Sequence, residues 1–287
     1  MADKKIDEPT GVETTGHSWD GIEELNNPLP RWWLWTLYAT IIWAIGYTIA
    51  YPAWPMISGA TKGALGYSTR GQVAVQIAEH DAQNEGLVAE LIAADLAELP
   101  PTSDLHRYAV ARGASVFRAQ CSQCHGSGAA GAVGYPNLLD NDWLWGGDIE
   151  NISATIAHGV RNATDDDARY SEMPAFDEIL EDEEIGAVVE YVASLSASEF
   201  DASLAETGAE VFADNCSACH GETAEGDRDM GAPNLADAIW LYGGDRDTLE
   251  QTVRYSRYGV MPAWGQRLRD EDVRAVSVYV HALGGGE

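Results

Sequence analysis

Positive charge is scarce in this chain of 287 residues. Seventeen Lys and Arg stand against 46 Asp and Glu, a formal net charge of −29 at pH 7. So acidic a surface repels phosphate backbones, which excludes a nucleic-acid binder on electrostatic grounds. It suits either a basic protein partner steered in by long-range attraction or a solvated surface adapted to a salty medium. The acids are spread along the whole polar part, so composition alone favours neither. Cysteine is scarce too, with four residues confined to two pentapeptides. A redox dithiol of the thioredoxin kind needs a βαβ context, and none is visible. Paired zinc knuckles usually lie within about 15–20 residues of each other, whereas these pairs begin at 121 and 216, 95 residues apart. Two disulfides would require an oxidising compartment. From residue 103 onward the sequence also lacks any convincing alternating strand, which points to an all-α fold.

The two pentapeptides are Cys121-Ser122-Gln123-Cys124-His125 and Cys216-Ser217-Ala218-Cys219-His220. C-x-x-C-H is an attachment site for c-type haem. The two thiols add to the vinyl groups of the macrocycle, and the adjacent histidine offers an imidazole to the iron. The pattern predicts two covalently bound haem c groups. Cys121, Cys124, Cys216 and Cys219 are the attachment residues, and His125 and His220 are axial ligands.

Read in order, residues 1–30 form a polar tail ending in Asn26-Asn27-Pro28-Leu29-Pro30. Residues 31–55 hold an apolar run from Trp32 to Tyr51 without a charged residue, long enough to span a bilayer as a helix. Trp32, Trp33 and Trp35 at one end, and Tyr47, Tyr51 and Trp54 at the other, form interfacial aromatic belts. The run starts too far in, and runs too long, for a cleaved signal peptide. Basic residues flank it almost evenly, so the haem motifs set the orientation. Bacterial c-type haem is attached outside the cytoplasm, which predicts a single-pass inner-membrane protein with a cytoplasmic N-terminus and periplasmic haem domains. Residues 56–102 read as a connector, irregular around Gly59, Gly63 and Gly66 and broadly helical from Gly71 to Leu99.

Two units follow, 103–197 and 203–284. A helix leads into each motif (Asp104 to Gln120, Leu204 to Asn215) and carries a glycine, Gly113 or Gly208, where a neighbouring helix can approach. Helical spacing of Ile185, Val188, Val189, Val192 and Leu195, and of Val273, Val276, Val280 and Leu283, closes each unit. Pro136-Asn137-Leu138 repeats as Pro233-Asn234-Leu235. Trp143-Leu144-Trp145-Gly146-Gly147-Asp148 repeats as Trp240-Leu241-Tyr242-Gly243-Gly244-Asp245. The first copy then carries extra residues, Arg161 to Arg169. Met-Pro-Ala returns in each copy, at Met173 and Met261. One such methionine per haem motif predicts Met173 and Met261 as the second axial ligands. A thioether favours reduced iron and raises its potential. Core filling is the structural alternative for these methionines, while Met230 and His158 are weaker ligand candidates. His17, His80, His106 and His281 read as surface residues. An iron closed on both faces suits electron transfer and disfavours a dihaem peroxidase.

Taken together, these residues resemble the membrane-anchored dihaem cytochrome c subunit, subunit III, of cbb3-type cytochrome c oxidases. Tyr51-Pro52-Ala53-Trp54-Pro55-Met56-Ile57-Ser58-Gly59, with Thr61-Lys62-Gly63 and Leu65-Gly66-Tyr67-Ser68, carries the likeness in the connector. Tandem class I cytochrome c domains carry it beyond. The resemblance implies a relay from a donor cytochrome c, through a monohaem cytochrome subunit, to a catalytic subunit that reduces oxygen and pumps protons. The chain itself would not be an enzyme. It also implies that His125 pairs with Met173 on one iron and His220 with Met261 on the other. A dihaem cytochrome serving another membrane complex, a dehydrogenase or a nitric oxide reductase, is the alternative that the haem motifs leave open.

Overall fold

The computed structural model describes residues 5–196 and 199–287. The first four residues of the tail, and residue 197 where the first haem unit is expected to end, lie outside the described residues. The chain divides into two compact units with a boundary between residues 83 and 84.

In the first unit the tail is not wholly irregular. Strands β1 (Thr14–Trp19) and β2 (Ile22–Leu25) pair antiparallel. Asp20-Gly21 makes the turn, and both residues have positive φ, 50° and 83°. That is the backbone a two-residue hairpin turn needs, and Asp-Gly supplies it. The polar composition concealed this hairpin.

Helix α1 spans Arg31–Ala50, opening behind Pro30 and closing at Tyr51 before Pro52. None of its side chains is buried, and its apolar residues point all around. Twenty residues rise about 30 Å, the thickness of a bilayer core. The helix is therefore long and apolar enough to cross a membrane. Thr36, Thr40 and Thr48 return their hydroxyls to backbone carbonyls one turn back. Strands β3 (Pro55–Met56) and β4 (Gly59–Ala60) form a short hairpin. The chain then returns so that the amides of Ala64 and Leu65 donate to the carbonyls of Ile49 and Ala50, at 2.8 and 3.0 Å. These satisfy carbonyls that the helix end leaves open. Gly63, at φ +71°, packs on the Ala50–Tyr51 backbone so closely that a Cβ has no room.

The boundary falls within α2 (Thr69–Ala93). Beyond it come α3 (Asp104–Val116), α4 (Ser122–His125), α5 (Ile149–His158), α6 (Asp182–Leu195), α7 (Ala202–Asn215), α8 (Ser217–His220), α9 (Arg246–Tyr255) and α10 (Asp270–His281). Two of these, α5 and α9, had no separate place in the sequence reading. Each is capped by the aspartate of a Gly-Gly-Asp motif. The Asp148 carboxylate accepts from the Asn151 amide at 2.8 Å, and Asp245 from Thr248 at 3.0 Å.

The packing of lead and closing helices crosses the repeats. Helix α3 lies on α10, and α7 lies on α6. Gly113 meets the backbone of Ala275, and Gly208 that of Ala187. Phe117 packs on Tyr279 (5.4 Å between ring centres) and Phe212 on Tyr191 (5.2 Å). Two helical bodies result. One contains α3, α4, α5 and α10, around Phe117, Ala129, Ile152, Ile156, Val273, Val276 and Val280. The other contains α6, α7, α8 and α9, around Val188, Val189, Val192, Val211, Phe212, Ala224 and Leu249.

The physical reason is chain length. Helix α6 ends at Leu195 and α7 begins at Ala202. So short a link makes the two helices an antiparallel hairpin with little loop entropy to lose. The two closing helices present the same apolar spacing, so either lead helix can accept either one. Arg274 then distinguishes them. It donates from Nε to the carbonyl of Leu91 (2.9 Å) and also to that of Ala94, tying α10 to the connector just before α3. The matching position of α6 is Gly186.

Two candidate haem pockets

Helix α3 runs into a single π turn, Phe117–Cys121, before α4. Such a bulge re-aims the chain at functional sites. Helices α4 and α8 each span one turn and stop at a glycine of positive φ, Gly126 or Gly221. The loops that follow differ in length by two residues but share one hydrogen-bond plan. The Gly131 amide donates to the His125 carbonyl (2.9 Å) and the Leu138 amide to Ala129 (2.8 Å). The Gly226 amide donates to His220 (2.8 Å) and the Leu235 amide to Ala224 (2.8 Å). Ala129 and Ala224 are buried with positive φ, 62° and 60°.

This loop explains the Pro-Asn-Leu motif. Nδ1 of His125 lies 3.0 Å from the Pro136 carbonyl, and Nδ1 of His220 lies 3.0 Å from the Pro233 carbonyl. A carbonyl only accepts, so each Nδ1 carries the proton and each Nε2 keeps its lone pair. Burial lowers the pKa of both imidazoles, against the raising effect of those carbonyls. The histidines are thus neutral donors of fixed tautomer.

Burial, with a smaller contribution from the paired cysteine, pushes the Cys121 and Cys216 thiols up to about 11. None of the four cysteines is in a disulfide. A neutral thiol suits thioether formation and opposes a thiolate metal site. The surrounding loops leave Val133, Tyr135, Leu139, Tyr258 and Val260 exposed. Apolar side chains gathered near a neutral imidazole and two thiols fit a covalently held macrocycle, as the C-x-x-C-H motif requires.

The methionine loops approach from the other repeat. Met261 packs on the core that also takes Cys121 and Trp143. Its backbone makes two bonds with Val160, at 3.1 and 3.0 Å, just after α5. The carbonyl of Met173 accepts from the hydroxyl of Ser256, at the end of α9. Arg254 of α9 holds Asp177 and Asp182, both at 2.8 Å. The packing therefore sets Met261 on the core of the first motif and the Met173 loop at the end of α9 in the second body. Each methionine travels with the closing helix that follows it.

His158 lies at the end of α5 with Nδ1 3.2 Å from Asp165. Met230 is exposed in the turn after His220. His281 bonds the Glu287 carbonyl at 2.9 Å. The sequence reading missed two arginines. Arg169 lies over the Trp145 ring (5.5 Å) and Arg257 over the Tyr242 ring (4.8 Å). Their signal was the repeat Arg-Tyr-x-x-Met-Pro-Ala, at 169–175 and 257–263. It also shifts the extra segment. Arg169 has a counterpart, and residues 159–168 stand where the second repeat has Ser256 alone.

Comparison with known proteins gives three matching family models. Residues 11–58 match the N-terminal domain of cytochrome oxidase-cbb3, FixP. Residues 110–196 match cytochrome c, and residues 203–280 match cytochrome c oxidase, cbb3-type, subunit III. The chain is 60% identical over 281 residues to the cbb3-type cytochrome c oxidase subunit CcoP of Cereibacter sphaeroides, covering 97% of each chain. It is 54% identical over 289 residues to subunit FixP of Sinorhizobium medicae, covering 100% of each. It is 52% identical over 287 residues to subunit CcoP of Rhodobacter capsulatus, covering 96% of this chain and 97% of the relative.

Proposed function

The chain belongs to the subunit III family of cbb3-type cytochrome c oxidases, and from that premise we propose how its residues carry out electron relay. It is a cytochrome c subunit of such an oxidase, and haem c is its cofactor. It carries two haems, attached through Cys121 with Cys124 and through Cys216 with Cys219. His125 and Met261 ligate one iron, and His220 and Met173 the other. The observation that carries this reading is the shared pocket plan. In each body a histidine is locked by a proline carbonyl, and a Met-Pro-Ala loop comes in from the other repeat: Met261 on the first core, and the Met173 loop at the end of α9 in the second body.

A bound haem supplies reversible one-electron chemistry, and the polypeptide sets its conditions. The Pro136 and Pro233 carbonyls orient the imidazoles and fix their tautomer. The methionine loops bring a soft sulfur that favours the reduced state. The apolar cores exclude water. With a histidine and a methionine to hold each haem, the chain would transfer electrons and leave oxygen chemistry to a catalytic subunit. Its immediate partners are that subunit, a monohaem cytochrome subunit and a donor cytochrome c. The α1 helix anchors it in the bacterial inner membrane, with the N-terminus cytoplasmic and residues 103–284 periplasmic.

Haem counting tests the reading. Protein purified in mild detergent should contain two haems per chain, and the Cys216→Ala/Cys219→Ala variant one. Two haems in that variant would sink the attachment assignment.

A further inference from the structure

The chain crosses between the two haem bodies twice, outward after α5 and back after α9. Arg161 stands at the outward crossing. Its Nε donates to the carbonyl of Gly259 (2.9 Å) and its Nη1 to the carbonyl of Ser171 (2.7 Å). Gly259 precedes Met261 by two residues, and Ser171 precedes Met173 by two. The two acceptors are therefore the same position in the two methionine loops. Arg161 belongs to residues 159–168, which the second repeat lacks, so one guanidinium serves both loops.

The surroundings hold this group firmly. The guanidinium carbon lies 5.4 Å from the centre of the Tyr258 ring. Tyr242, Glu172 and Tyr170 face it as well, and the side chain is half-buried. Its backbone has φ +52°. That conformation is strained for an L-residue with a full side chain, so neighbouring structure must impose it. The imposing contacts are the bridges of Val160 to Met261 and to Arg169 on either side.

We propose that Arg161 is a positioning residue shared by both pockets. It fixes the two methionine loops to one rigid fork and sets a single positive charge beside both sites. A nearby cation favours the less positive, reduced state of each site, so the two potentials respond to it together. Lysine keeps the charge but has no planar fork to hold two carbonyls at once.

This inference rests on the axial assignments proposed above. The test uses the full-length haem-loaded protein in detergent, followed by redox titration and by the methionine-to-iron absorption band near 700 nm. If the unmodified protein lacks that band, the axial reading fails, and Arg161 fails with it as a ligand-positioning residue. With the band present, Arg161→Gln should lower both midpoint potentials. The expected shift is about tenfold in each reduction equilibrium, about 59 mV for one electron, with a weaker band. Arg161→Lys should recover the potentials more fully than the band. Ser256→Ala, which removes only the hydroxyl bond to Met173, should move a single potential. Unchanged potentials in Arg161→Gln, or a shift at one haem alone, would overturn the proposal. If Arg161→Gln does not accumulate, Arg161→Lys decides: a weakened band at both haems supports the shared clamp, and an unaltered band refutes it.

Discussion

The two haem bodies use the same parts and differ in what surrounds them. Both have a glycine at the helix crossing, a Phe–Tyr contact beside it, a proline carbonyl on the histidine, an aspartate-capped helix and an arginine over an aromatic ring. Only the first carries the residues 159–168, and only its closing helix has an arginine on the connector. Only the second has the buried Glu190, which binds Arg246 at 2.6 Å. What is shared surrounds each C-x-x-C-H motif and is the part proposed to hold haem. What is unshared decides which closing helix goes where, and it ties one body to the connector.

The sharpest way to break the comparison is to remove one haem and ask which methionine the other obeys. In the Cys216→Ala/Cys219→Ala background only the haem at His125 remains. There Met261→His should abolish the band near 700 nm and lower the potential strongly, while Met173→His should leave both unchanged. The opposite result would restore ligation within each repeat and refute the exchange.

A smaller effect is expected at Arg274. Its guanidinium bonds to two connector carbonyls, and hydrogen bonds to charged groups contribute about 1.5–3 kcal/mol each. Arg274→Ala should lower the urea midpoint, and amide exchange should speed up around residues 91–94. Gly186→Ala, at the matching position of the other body, meets no neighbour and should change neither. Equal effects at both positions would remove Arg274 as the distinguishing contact.

The smallest effect concerns pH. Burial, then the charges of Asp237 and Asp140, push the Asp142 carboxyl up to about 6. The second repeat has Ile239 at this place. A carboxyl with a raised folded-state pKa contributes stability that is fully present below its unfolded value, near 3.9. That contribution is lost as pH rises through about 6. Thermal melts should show stability declining between roughly pH 4 and 6 in the unmodified protein. Asp142→Asn should flatten that decline, and an unchanged profile would assign it elsewhere. Asp245 runs the other way. Its bonds from Thr248 hold the carboxylate below the usual range, so its contribution is lost only as pH falls below that range.

How much was legible before folding varies by element. The attachment cysteines, the histidines and the methionines stood out because covalent and ligand chemistry needs particular atoms at particular spacings. The repeat exposed Pro-Asn-Leu and Gly-Gly-Asp, but not what they do, since a carbonyl reaching an imidazole 11 or 13 residues away is a tertiary fact. Helices α5 and α9 were obscured because each has only ten residues, which leaves few apolar positions to set a period. The hairpin at Asp20-Gly21 was read past because its flanks are polar.

The sequence by itself determined that this is an all-α cytochrome with one apolar helix and two copies each of the C-x-x-C-H and Met-Pro-Ala motifs. Those follow from local chemistry and local periodicity. Only the tertiary structure decided which lead helix packs on which closing helix. Two closing helices with the same apolar face are interchangeable in composition. The choice between them rests on a short link from α6 to α7, one arginine on α10, and the loop entropy that makes near neighbours pair first.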